Sequence, residues 1–237
     1  MFGKNIYTIL IAILLTSTIS ISCNSGSSIS NTEITKTPED ILSRSGLSMQ
    51  NISSFEFELS HKNVAGTQIG DLVFSEATGL ISSDNKMLVE GKFLFGNLVL
   101  STKLIAINND IFFLNPLTQK WELPEGSITL LSFFDPEEGI KNLLDSVTPL
   151  SMEADSKAYW NIKGSMPASS LSSIIGETTD NDVDVTIWID KNTYYLTRAI
   201  IHGKLNAYDK GKTTNKIQRI ITISKINENL AIEHPFN

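Results

Sequence analysis

The chain has 237 residues, 41% of them hydrophobic, and carries 19 Lys or Arg against 26 Asp or Glu for a formal charge of -7. That length suffices for one sizeable core, and that charge argues against nucleic acid as a partner and against electrostatic adhesion to anionic lipid. The single cysteine, Cys23, leaves neither an intrachain disulfide nor a Cys/His metal cluster to build.

Lys4 is the only charge before Glu33. From Ile6 to Ile21 the chain is apolar or small and hydroxylic, and most apolar over residues 9–15. A positive start, a short apolar run and small residues ahead of a cut site make a secretory signal peptide. A membrane-spanning anchor needs roughly 20 apolar residues, whereas this run is diluted at its end by Thr16, Ser17, Thr18, Ser20 and Ser22. Ser20-Ile21-Ser22 ahead of Cys23 resembles the bacterial lipobox, with Ser20 where its most frequent form has Leu. The resemblance implies a lipoprotein signal peptide over residues 1–22 and an acylated Cys23 that holds the chain to the outer face of the cell membrane. An ordinary signal peptide with an incidental Cys, or an uncleaved anchor, are the other readings of this stretch. Removal of residues 1–22 takes only Lys4 among the charges and leaves 215 residues at -8. Each buried methylene contributes about 0.8 kcal/mol and stable anchoring takes more than one chain, which a diacylated Cys satisfies. Residues 23–37, rich in Ser, Thr and Asn, read as a flexible tether, and residues 38–237 as a single folded domain.

Thr37-Pro38-Glu39-Asp40 is a strong helix start: a hydroxyl N-cap, Pro at the first helical position and two acids in the first turn. Ile41, Leu42, Ser45 and Met49 supply its stripe, and Gln50-Asn51 its end. Strands follow over residues 55–59, 69–75, 87–95, 98–107 and 111–114, with turns at Gly96-Asn97 and Asn108-Asn109-Asp110. Consecutive hairpins make the sheet antiparallel. Residues 130–134 form a bare apolar patch, and Asp135-Pro136-Glu137-Glu138 opens a second helix whose inner face is Ile140, Leu143, Leu144 and Val147. A strand near residues 159–164, a short helix over 167–175, a hairpin of 183–189 and 194–205 about the turn 190–193, and a last strand over 216–226 complete the chain. The fold class is α+β, one large antiparallel sheet with three or four helices.

Chemistry-bearing motifs are absent. His61, His202 and His234 are scattered over a strand end, a strand and the tail, and no nucleophile elbow, phosphate loop or metalloprotease motif occurs. Glu137-Glu138 and Asp182/Asp184 read as a helix-dipole complement and a solvated strand face. No catalytic residue, metal ligand or cofactor is assigned; a hydrolase using an unrecognised Ser stays open as a rival.

Four stretches carry a family resemblance. Asn115-Pro116-Leu117-Thr118-Gln119-Lys120-Trp121 resembles the D-P-x-T-G-K-W turn of the LppX/LprG lipoprotein family, with Asn115 for Asp and Gln119 for Gly. Asp135-Pro136-Glu137-Glu138-Gly139-Ile140 with Leu143-Leu144 resembles its D-P-x-x-G-L-x-x-L-L helix. Gly164-Ser165-Met166-Pro167-Ala168 resembles its G-x-V-P-A, and Val185-Thr186-Ile187-Trp188-Ile189-Asp190 its V-x-x-W-I-D. Their order agrees from about Pro38 to Asn229.

The resemblance implies a half-barrel sheet wrapped on helices, similar to the LolA-type carriers, with an apolar cavity between the two layers. It further implies a lipid, glycolipid or lipoglycan ligand, transfer of that ligand across the envelope, and a membrane transporter as possible partner. On alternating strand faces, Phe55, Phe57, Leu59, Val89, Phe93, Phe95, Leu98, Leu100, Ile111 and Phe113 are the candidate lining. Leu130, Leu131, Phe133 and Phe134 are the candidate mouth. A filled core would instead suit a non-catalytic adaptor that binds a protein partner.

Overall fold

A computed structural model describes residues 36–69, 72–82, 84–95, 97–108, 110–123, 139–153, 157–172, 177–207, 209 and 216–236. Helix α1 (Pro38–Gln50) begins where its capping residues put it: Thr37 Oγ1 accepts from the Asp40 amide at 3.2 Å. Its buried stripe is Ile41, Leu42, Ser45 and Met49, joined by Gly46. The short helix α2 (Gly139–Asp145) turns Ile140 and Leu144 inward and crosses α1 where Gly46 has no side chain, with Lys141 Cγ only 3.1 Å from the position of a Cβ.

The strands are β1 (Ser54–Lys62), β2 (Thr67–Ile69), β3 (Leu72–Ser82), β4 (Lys86–Phe95), β5 (Leu98–Ile107), β6 (Asp110–Leu114), β7 (Trp121–Glu122), β8 (Thr148–Glu153), β9 (Tyr159–Pro167), β10 (Asp182–Asp190), β11 (Leu196–His202) and β12 (Gln218–Ser224). Among the described residues they form one 12-stranded sheet in the order β7-β6-β5-β4-β3-β1-β12-β11-β10-β9-β8, with β2 paired to β3 beside that path. Two antiparallel meanders thus meet where the first long strand pairs with the last, Phe57 opposite Ile223 and His61 opposite Arg219.

One face of the sheet is covered by the helices. On β10, Val183, Val185, Ile187 and Ile189 are buried and alternate with more exposed neighbours, the period-2 pattern of a half-wet strand. Phe55 and Phe57 on β1, Met87, Val89 and Phe93 on β4, and Leu104 and Ala106 on β5 continue that buried face and share one core with Ile41, Leu42, Met49, Ile140 and Leu144. A smaller cluster lies on the opposite face, where Ile232 of the C-terminal segment packs with Ile105 and Phe112.

Of the expected three or four helices, two are the α-helices above; the third begins as a 3-10 turn, Ala168–Leu171, and residues 173–175 of its expected span lie outside the described residues. Residues 135–138, the expected start of α2, also lie outside. The strand expected at 69–75 is two: β2 ends at Ile69, and β3 runs on to Ser82 through Ala77-Thr78-Gly79. Strand β8 was not foreseen; its Pro149 is tolerated because β8 is an edge strand, with a register shift between Pro149 and Ser151.

The two departures from the family's turn have a local account. Asn115 Oδ1 accepts from the amides of Leu117 (2.9 Å) and Thr118 (3.1 Å), the work an Asp would do, while its Nδ2 donates to Glu122. Gln119 sits at φ 54°, the left-handed region that favours Gly at that position.

Candidate functional site

Between α2 and the centre of the sheet lies a pocket of about 70 Å³ whose lining is wholly apolar. Ile140, Leu143, Leu144 and Val147 form its helix side, Phe55 and Phe57 of β1 and Ile221 and Ile223 of β12 its floor, and Val185, Ile187, Leu196, Ala199 and Ile201 its wall; Met166 and Leu171 close it. The floor is the seam of the two meanders, so residues far apart in sequence meet there: Phe57 faces Ile223 and Ile221 faces Ala199. An interior packed to crystal density leaves few voids, and those lined only by hydrocarbon stay dry.

The residues expected from sequence to line a cavity are distributed as follows. Phe55 and Phe57 line the pocket. Val89 and Phe93 are buried in the same core, and Leu100 and Ile111 pack on it half-buried. Leu59 is half-buried beside a second, open concavity of about 500 Å³ along β1, β3, β4 and β5. Phe113 is half-buried, whereas its neighbour Phe112 is buried on the opposite face beneath the C-terminal segment. Leu98, at the tip of the β4–β5 hairpin, is 59% exposed. The side chain of Phe95, the expected mouth residues Leu130, Leu131, Phe133 and Phe134, and Cys23 lie outside the described residues.

Most of the pocket was not foreseen, because its wall comes from β10 and β11. The alternation of Val185 and Ile187 with Thr186 and Trp188 was the available signal; only the partnering of β12 with β1 shows that this face continues that of Phe57.

Sequence reasoning also missed a buried polar network on the same face. Arg219, 1% exposed, stands opposite His61. Its Nη2 donates to Asp209 Oδ1 at 2.5 Å, its Nη1 to the Gly203 carbonyl at 3.3 Å and its Nε to Thr67 Oγ1 at 2.9 Å. Asp209 Oδ2 accepts from the Leu205 amide at 2.7 Å. Thr67 Oγ1 lies 2.6 Å from His61 Nε2, and His61 Nδ1 lies 2.8 Å from the Ser75 carbonyl. A carbonyl can only accept, so Nδ1 carries the proton and the Thr67 hydroxyl donates to Nε2. Desolvation, aided by the Arg219 charge, holds the His61 pKa below its ordinary 6.5 against the Ser75 bond and Asp209. The signal was parity: Arg219 shares its face with Ile217, Ile221 and Ile223.

The other imidazoles are engaged elsewhere. His202 Nε2 is 3.4 Å from Thr186 Oγ1, and His234 meets the Phe112 ring edge-on at 4.7 Å. Among the described residues no three of His, Cys, Asp and Glu converge as a metal site. The geometry at hand suits apolar contact.

Comparison with known proteins agrees with the architecture. The chain belongs to the LppX_LprAFG lipoprotein family, whose model matches residues 37–231. A lipoprotein family implies an exported, envelope-associated chain. The fold is that of LprF from Mycobacterium bovis, which superposes with a TM-score of 0.62 at 15% identity over 83% of this chain and 96% of that one. It is also that of the Mycobacterium tuberculosis lipoprotein LppX, with a TM-score of 0.56 at 17% identity over 83% of this chain and 100% of that one. A LolA superfamily protein from Nitrosomonas europaea is a distant match, with a TM-score of 0.32 at 10% identity over 83% of this chain and 95% of that one. No curated protein matches the sequence.

Proposed function

We propose that this chain is a membrane-anchored lipoprotein that takes the acyl chains of a lipid, glycolipid or lipoglycan between its sheet and helices and helps transfer them across the cell envelope. The observation that carries this reading is the wholly apolar pocket at the seam of the sheet, beneath α2, in a lipoprotein-family chain. At about 70 Å³ it is smaller than the roughly 300 Å³ at which ordinary ligand sites begin. An acyl chain therefore enters as the helices draw away from the sheet. Helix α2 suits that movement: Ile140, Leu143 and Leu144, its apolar contacts toward the sheet, line the pocket itself. Apolar surface bared by the movement is covered again by the lipid, at about 25 cal/mol per Å².

In this reading residues 1–22 are removed, acylated Cys23 anchors the chain to the outer face of the membrane, and residues 23–37 tether a lipid-binding domain that acts without catalysis. A membrane transporter is the natural partner for delivery. A second reading is a non-catalytic adaptor that docks on such a transporter. It is favoured by Leu98 and Val99, 59% and 58% exposed at the start of β5.

The test is native mass spectrometry of the compact unit Lys36–Asn237, purified from a bacterial host without added lipid and then extracted with organic solvent. The carrier reading expects near one lipid per chain, lost in Leu143→Glu, a half-buried pocket position, with an unchanged urea midpoint showing that the fold is kept. An unladen mass that stays unladen after incubation with lipid sinks the carrier and leaves the adaptor.

A further inference from the structure

At the first described residues a cluster of cations and aromatic rings stands at one corner of the domain. Lys36 Nζ donates to the Tyr194 hydroxyl at 2.7 Å and lies 4.9 Å from the centroid of the Trp160 ring. The Arg44 guanidinium, from α1, lies 5.6 Å from the Tyr194 ring centroid, and the two rings are 5.0 Å apart. Trp160 and Tyr194 rest on the main core, so the corner is rigidly backed. Tyr194 is held at φ 61° after a turn that Asp190 ties down, its Oδ1 accepting from the amides of Asn192 and Thr193 at 2.9 Å. A bulky residue kept in the left-handed region marks a place where surrounding structure maintains strain.

Seven of the domain's described cations, Lys86, Lys92, Lys103, Lys141, Lys163, Arg219 and Lys225, pair with a carboxylate, and Lys36 and Arg44 are among those that do not. Among the described residues no carboxylate lies within ion-pair distance of Lys36 or Arg44; both turn to Tyr194. The acids nearest in the chain are Glu33, outside the described residues, and Glu39 and Asp40 in the first turn of α1; Asp190 is occupied by its own turn.

We propose that Lys36, Arg44, Trp160 and Tyr194 form a face that contacts the bilayer, its cations on anionic headgroups and its rings at headgroup depth. The inference rests on the anchoring at Cys23 proposed above. Lysine and arginine donate to phosphate oxygens, and Trp and Tyr settle at the membrane–water boundary because one end is apolar and the other wet. Only residues 24–35 separate Cys23 from Lys36, and even fully extended that link spans at most about 45 Å. The corner is therefore the part of the domain covalently nearest the membrane. The anchored chain, at -8 without residues 1–22, is repelled as a whole by an anionic surface, so cations at the tether's end decide which way the anchored domain faces.

The test uses the full chain, acylated at Cys23, in vesicles of phosphatidylcholine with or without phosphatidylglycerol. Trp121→Phe and Trp188→Phe leave Trp160 as the only indole. Flotation reads anchoring, and quenching of Trp160 by brominated lipid reads contact. We expect several-fold stronger quenching with phosphatidylglycerol present, abolished in Lys36→Glu/Arg44→Glu and weakened in Lys36→Gln/Arg44→Gln, both with an unchanged urea midpoint. A floating chain whose Trp160 is unquenched, or equally quenched in the charge-reversed variant, overturns the proposal and leaves the anchor standing. Trp160 shielded from aqueous iodide yet untouched by brominated lipid marks a second copy of the chain as the occupant and overturns it too. A chain that does not float brings down both the anchor and this face.

Discussion

The ring of Phe57 lies on the bare backbone of Gly79, one strand away: a Cβ at Gly79 would come within 2.0 Å of Phe57 Cε1. The pair is directly opposed in the β1–β3 register, so Gly79 is a seat for the ring that forms the pocket floor. Gly79→Ala must push that ring into the pocket or off the sheet. Overpacking of this kind costs about 1–3 kcal/mol, read as a lowered urea midpoint. Phe57→Leu alone is also destabilising, but adding it to Gly79→Ala should recover part of the loss, because the two share one space. Additive losses would mean that the contact carries no strain.

That pair also shows where sequence legibility ended. The stripe of α1, the antiparallel hairpins and the alternating faces of β1 and β4 follow from periods and turn residues that report local geometry, and they agree with the structure. The strand expected to end at Ser75 runs on through Gly79; an isolated Gly weakens a strand unless something needs the space, and the something, Phe57, lies 22 residues earlier. The pocket wall was illegible for a related reason. Parity along β10 and β11 was clear, but only the pairing of β1 with β12 joins that face to Phe57. Arg219 was passed over because a charge within a strand is normally assigned to the wet face, and its partner Asp209 comes from a loop. Phe112 was left opposite the core because no local pattern announces that the C-terminal segment returns to cover it.

Arg219 is stabilised in the core by the Asp209 carboxylate, both nearly free of solvent. Burial works against the guanidinium charge, and Asp209 works for it. Asp209→Asn keeps the shape and leaves a buried cation without its counter-charge, which should cost about 3–5 kcal/mol. Pairing it with Arg219→Met removes the orphan charge, and most of the loss should return. Chemical denaturation of the two variants checks this; equal losses in the single and double variants would show that the network's hydrogen bonds, rather than the charge, hold the loop.

His61 makes stability depend on pH in a defined direction. Its folded pKa lies below the 6.5 of the unfolded chain, chiefly because burial disfavours the imidazolium. Between those two values the unfolded chain binds more protons, so stability rises with pH there. The contribution is whole above pH 6.5 and is lost as the pH falls through the folded pKa. His61→Asn can still donate to the Ser75 carbonyl but has no proton to take up. Thermal melts across that window should show a shallower slope for the variant than for the parent chain. Parallel slopes would exclude His61 as their source.

Ala199 faces the pocket from β11 and is the smallest of its lining side chains. Ala199→Leu fills part of the void. A cavity filled without strain commonly gains about 0.5–2 kcal/mol, so the urea midpoint should rise. If lipid enters only after the helices part from the sheet, the same substitution stabilises the closed form against the binding-competent one. The apparent affinity then falls by the fraction of chains still able to open: a gain of about 1 kcal/mol corresponds to roughly a fivefold weaker apparent Kd. Melting and lipid titration of one variant thus test one energy twice. A higher midpoint with unchanged affinity would mean that lipid binds away from this pocket, and a lower midpoint would mean that the void has no room for the added carbons.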